Sequence, residues 1–78
     1  MFAANYGQNI IHNDGTIVKV HHISPEGKVY YYAFYIPSTQ QFQFGETPYD
    51  REYGFITDFE SLSREDSLEF ERIIINNS

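Results

Sequence analysis

Lys28-Val29-Tyr30-Tyr31-Tyr32-Ala33-Phe34-Tyr35-Ile36 is the stretch on which the fold turns. It is built of β-branched and aromatic residues, the types that suit a pleated, half-buried surface. Period-two alternation puts Tyr30, Tyr32, Phe34 and Ile36 on one face and Val29, Tyr31, Ala33 and Tyr35 on the other. Both faces are largely apolar, so the strand is expected near the centre of a sheet. Ser24-Pro25-Glu26-Gly27 precedes it, with Pro second and Gly fourth, the chemistry of a type I turn with a glycine bulge. On the far side of that turn, Thr16 to Ile23 is rich in β-branched residues and reads as the partner strand of a hairpin.

Working outward, Asn13-Asp14-Gly15 is a second turn signal. Ahead of it, either Ile10-Ile11 forms a short strand or residues 1–14 form a loose arm. After the central strand, Pro37-Ser38-Thr39 turns the chain, and Gln41-Phe42-Gln43-Phe44 alternates as a half-exposed strand. Gly45 to Asp50 reads as a loop containing Pro48, and Glu52 to Ile56 as a fourth strand. The C-terminal part is open to two readings. Thr57-Asp58-Phe59-Glu60 has the form of a capping box, and Ser63-Arg64-Glu65-Asp66 is a second helix start with acids in its first turn. A helix over 63–75 would put Leu62, Phe70, Ile73 and Ile74 on one side, with Leu68 and Ile75 opposite. A strand would use the alternation of 68–72 and the β-favouring Ile73-Ile74-Ile75. The fold class expected is therefore α+β, a small antiparallel sheet of three to four strands in meander order with a C-terminal helix. The alternative is an all-β small barrel of five strands.

Seventy-eight residues are expected to form one domain, 1–78. A domain of this size buries only ~60–65% of its unfolded surface, which leaves little room for a deep substrate pocket. The absence of cysteine excludes disulfides and thiolate metal sites. The first residues lack the basic and apolar regions of a signal peptide, and the longest apolar run, Val29 to Ile36, is far short of the ~20 residues a membrane helix needs. The expectation is a cytoplasmic protein. Seven Tyr and seven Phe supply much burial per residue.

Charge is unevenly placed. The net charge is −6, residues 1–45 balance Asp14 and Glu26 against Lys19 and Lys28, and the whole excess falls in residues 46–78. That sign disfavours direct nucleic-acid or anionic-membrane binding and favours a basic partner.

No phosphate loop, dinucleotide fingerprint, zinc-protease motif or EF-hand loop is present. His21 and His22 would point to opposite faces of a regular strand and could not hold one ion together. Three acid–x–acid repeats, Asp50-Arg51-Glu52, Asp58-Phe59-Glu60 and Glu69-Phe70-Glu71, do not suit hydrolase carboxylates, which face each other across a cleft. No catalytic residue, metal site or cofactor is expected, and the chain is read as a binder, not an enzyme. Two residues apart on a strand is about 7 Å on one face, so rows of carboxylates at that spacing would resemble a nucleic-acid backbone in charge and pitch. The candidate partner-binding residues are Asp50, Glu52, Asp58, Glu60, Glu65, Asp66, Glu69 and Glu71, with Tyr31 and Tyr35 as aromatic anchors.

In size, acidity, lack of cysteine and aromatic wealth, the composition resembles inhibitor proteins encoded by phages and other mobile elements. Some of those block host nucleases or repair enzymes by mimicking DNA charge. The resemblance, compositional and without a motif, implies an inhibitor or adaptor that engages a basic groove on a larger, nucleic-acid-binding protein. Rival expectations are a subunit that pairs through a sheet edge, including a homodimer, and an aromatic sheet that binds a ligand or oligonucleotide.

Overall fold

A computed structural model describes residues 4–44 and 51–77. Among these, six strands form one antiparallel sheet and the C-terminal segment is an α-helix. The strands are β1 (Asn9–His12), β2 (Ile17–Ile23), β3 (Lys28–Ile36), β4 (Gln41–Phe44), β5 (Glu52–Phe55) and β6 (Phe59–Ser61), followed by α1 (Arg64–Asn76). The chain is thus α+β, with a meander core, and α1 rules out the all-β reading.

Turn chemistry sets the meander. Gly27 has φ 91°, a conformation that costs a Cβ-bearing residue energy, and its N–H donates to Ser24 O at 2.9 Å. The Ser24 hydroxyl accepts from the Lys28 N–H, completing the β2–β3 turn. Gly15, at φ 96°, serves the β1–β2 turn, where the Asp14 carboxylate accepts from the Thr16 N–H at 2.9 Å. Asn9–His12 is therefore the strand that one reading of the N-terminal segment anticipated, and it lies inside the sheet between β2 and β6.

Strand order is β4-β3-β2-β1-β6, and β5 pairs with the first half of β3 while β4 pairs with its second half. β5 and β6 therefore lie on opposite borders of the sheet. In a flat sheet they would be about 19 Å apart, four strand spacings. Yet only a 3-10 turn, Ile56–Asp58, joins them, and three such residues rise about 6 Å. The sheet must curl, and ring contacts between its borders record it: Tyr53 of β5 lies 5.0 Å from His12 of β1 and 6.3 Å from Phe59 of β6.

Curling gives the sheet two cores. Ile10, Val18, Val20, Val29, Tyr31 and Phe59 fill its inner face, with Phe34, Tyr53 and Ile56 packed against them. On the outer face Ile17 and Ala33 are buried with Phe70 of α1, and Ile11, Tyr35, Phe42, Leu62 and Ile74 pack around them. Leu68 and Ile75 lie on the opposite side of α1, 59% and 71% exposed, as the helical periodicity requires.

Two expectations are corrected. First, β3 does not alternate throughout. Lys19 pairs with Ala33 but Val20 with Tyr31, so Tyr32 is bulged; Val20 to His22 then advances two residues against one, so His21 is bulged as well. The Tyr32 bulge moves Tyr31 onto the inner face with Phe34, 5.7 Å away edge to face, while Ala33 and Tyr35 stay on the outer face. Tyr31 and Tyr35 therefore do not share a face. Second, Thr57–Glu60 starts no helix. Its residues lie in the 3-10 turn and β6, because Glu60 pairs with Ile11 in the sheet. The helix starts at the second signal, where the Ser63 side chain accepts from the Asp66 N–H at 3.2 Å.

Candidate partner-binding surface

The acidic residues fall into three environments. Glu52 on β5, Glu60 on β6, and Glu65 and Asp66 in the first turn of α1 are exposed. Asp58 is half-buried in the 3-10 turn beside His12 and Gly54. Asp50 lies outside the described residues.

Glu69 and Glu71 show how the acid–x–acid repeat divides on a helix. A two-residue step turns about 200°, so the two carboxylates leave α1 on opposite sides. Glu69 points outward and pairs with Arg72 at 2.6 Å. Glu71 is half-buried and accepts from the Lys19 ammonium and, at 2.8 Å, from the Asn9 side-chain amide. Asn9 Oδ1 accepts from the same ammonium at 3.1 Å, and its amide also donates to Ser67 at 2.9 Å. Burial pushes the Glu71 carboxyl up, but the bonds from Lys19 and Asn9 and the Lys19 charge outweigh it and hold it below the usual range. Glu71 is thus a bolt between β1, β2 and α1, and the repeat at 69–71 makes no row of carboxylates.

Two depressions flank α1. One, of about 420 Å³, is open and polar, lined on the strand side by Gly7, Gln8 and Asn9 and on the helix side by Arg64, Ser67, Leu68 and Glu71. The other, of about 200 Å³, lies between α1 and the outer face of β2 and β3. Ile17, Tyr35, Pro37, Phe70 and Ile73 give it apolar walls, and Asp66 and Glu69 are its acids. Three of the candidate residues, Tyr35, Asp66 and Glu69, meet in this cleft. They do so because 66, 69, 70 and 73 share one flank of a helix and Ile17 pairs with Tyr35 across β2–β3. Tyr31, 8% exposed in the inner core, takes no part.

Sequence reasoning missed a ring cluster at the double bulge. His22 stacks on Tyr30 at 4.5 Å, His21 meets Tyr6 and Tyr32 edge to face, and Tyr6 lies 5.8 Å from Tyr32. Burial, then the neighbouring Tyr6 hydroxyl, pushes the Tyr32 phenol up, with Glu71 adding to it. The His21 bulge also brings the two histidines together, with Nδ1 atoms 2.9 Å apart, in place of the opposite orientations expected of a regular strand. Among the described residues no group of three or more His, Asp or Glu is placed to hold a metal ion, and no helix is long and apolar enough to cross a membrane. No protein-family model, curated protein or solved structure gives a significant match to the chain.

Proposed function

We propose that this domain is a protein-binding module that docks on a basic groove of a larger protein, as an inhibitor or adaptor, with its carboxylates standing where nucleic-acid phosphates would lie. The observation that carries this reading is the contrast among its acids. Glu71 is committed to Lys19, whereas Glu52, Glu60, Glu65 and Asp66 are exposed and no described side chain forms an ion pair with them. Like charges left without counter-ions are mildly destabilising, so their presence fits a role in recognition better than one in stability. Complementary charge would speed encounter and set specificity more than it would raise affinity.

The test is a low-salt capture of partners from the native cell with wild type and with Glu52→Gln/Glu60→Gln/Glu65→Gln. Loss of a basic partner, by about tenfold in affinity and mainly through slower association, supports the reading. Unchanged binding across low and high salt overturns it.

A second reading is favoured by one border of the sheet. Residues 29–45 contain no charged residue, and β4, Gln41-Phe42-Gln43-Phe44, is the end strand of the main order with Phe44 40% exposed. An edge without Lys, Pro or inward charge is open to strand pairing, and a second copy meeting there would bring its neutral stretch, not its acids, to the contact. Native mass measurement over a dilution series, with Gln41→Lys/Gln43→Lys as the blocking variant, tests it.

A further inference from the structure

The cleft beside α1 combines three properties that general acidity does not require. It is small: at about 200 Å³ it falls below the ~300–1,000 Å³ of pockets that take whole small molecules. Its walls are apolar and include two aromatic rings, with Phe70 and Ile17 buried and Tyr35 and Ile73 half-buried. Its acids are two, Asp66 and Glu69, one helical turn apart on the same flank. A space of one side chain's size, apolar along its length and acidic at its rim, is complementary to a long aliphatic stem that ends in a cation.

We propose that this cleft seats a single arginine side chain of the partner. The stem would lie against Ile17, Phe70 and Ile73, and the guanidinium would bridge the Asp66 and Glu69 carboxylates. Arginine fits better than lysine because its planar, weakly hydrated head addresses two carboxylates at once and stacks on a tyrosine face. The molecule already holds an example of half the contact. Arg72 places its guanidinium 2.6 Å from Glu69, with both side chains more than half exposed. An exposed i, i+3 pair of that kind contributes little and exchanges readily, so Arg72 occupies Glu69 until a partner's arginine displaces it. The proposal rests on the reading of the domain as a binder of basic protein surfaces, and narrows it to one pocket.

The experiment titrates the whole chain with a blocked arginine tripeptide and with its neutral citrulline counterpart, and follows backbone amide shifts by NMR. Expected are shifts clustered at Ile17, Tyr35, Asp66, Phe70 and Ile73 with the arginine peptide, and several-fold smaller ones with citrulline. Asp66→Asn/Glu69→Gln should weaken the arginine effect at least about fivefold, while Glu52→Gln/Glu60→Gln leaves it intact. Arg72→Gln should strengthen it by up to about fivefold, since the displaced pair has an exposed pair's strength of ~0.2–1 kcal/mol. The carboxylate substitutions are isosteric, all the substituted positions are exposed, and the gain in Arg72→Gln cannot come from misfolding. Shifts spread evenly over all exposed acids, or equal for arginine and citrulline, would overturn the pocket. That failure is separable from failure of the broader reading, which depends on Glu52, Glu60 and Glu65 in the capture experiment.

Discussion

Tyr53 donates its hydroxyl proton to Asp14 across 2.7 Å, tying β5 to the β1–β2 turn. The same phenol oxygen lies 2.9 Å from the Thr16 hydroxyl. This contact closes the end of the sheet at which β5 crosses to β6, where the Tyr53 ring also meets His12 and Phe59.

The Asp14 carboxyl is lowered to about 2: burial raises it, but the Thr16 N–H, the Tyr53 hydroxyl and the Thr16 hydroxyl together lower it more. A carboxylate depressed in the folded state stabilises the fold above its unfolded pKa, near 3.8, and that contribution fades as pH falls toward 2. Thermal unfolding at stepped pH should therefore show a loss between about pH 4 and pH 2 that is reduced in Asp14→Asn. Tyr53→Phe should cost about 0.5–1.5 kcal/mol at neutral pH and flatten the same acid limb. An identical acid limb in wild type and Asp14→Asn would refute the assignment.

Glu69 and Glu71, two residues apart, should respond in opposite ways to loss of charge. The Lys19 side chain is 15% exposed, so removing its Glu71 partner leaves a poorly hydrated ammonium with only Asn9 Oδ1 and an Asn9 amide with only Ser67. Because Glu71 itself is 40% exposed, the cost is below that of a fully buried pair, about 1–3 kcal/mol for Glu71→Ala. Glu69→Ala breaks only the exposed pair with Arg72 and should cost under about 0.5 kcal/mol. Urea unfolding of the two variants measures both; equal costs would contradict the bolt assigned to Glu71.

The helix start is equally testable. Ser63→Ala removes the acceptor for the Asp66 N–H and should cost about 1 kcal/mol. Thr57→Ala, in an exposed 3-10 position, should stay within about 0.5 kcal/mol of wild type. The reverse order would restore the capping-box reading of Thr57–Glu60.

These contrasts show where the sequence was informative. The hairpin at Pro25-Glu26-Gly27 was legible because turn geometry is local, and α1's buried side was legible because Phe70 and Ile74 keep helical spacing. The bulges at His21 and Tyr32 were not, since an inserted residue leaves no mark on an unbroken run of tyrosines; only pairing with β2 reveals it. Thr57–Glu60 misled because its local preference for a helix start gave way to the pairing of Glu60 with Ile11. Of the site, the acids were readable as a charge excess. Which of them is bolted inward and which line a cleft depended on the helix–sheet packing angle, a tertiary property. The outward-facing rings at Tyr6 and Tyr32 escaped notice for the same reason.

That ring cluster supports the strongest rival, an aromatic platform for nucleic acid, and so the last prediction is a negative one. Tyr6 is 71% exposed and lies against Tyr32 and His21; bases stacked on such rings gain ~1–3 kcal/mol each. Stacking alone does not hold a polyanion, because most affinity for single strands comes from Lys and Arg along the backbone. Here Lys19 of β2 is bound to Glu71 and Asn9, and the net charge of −6 repels phosphate. With labelled single-stranded DNA and RNA at physiological salt, anisotropy should show no complex tighter than ~10⁻⁵ M, and Tyr6→Ala should change nothing. A sub-micromolar complex that Tyr6→Ala abolishes would make the ring cluster the working surface, and would require the acids of α1 to be a solubilising face after all.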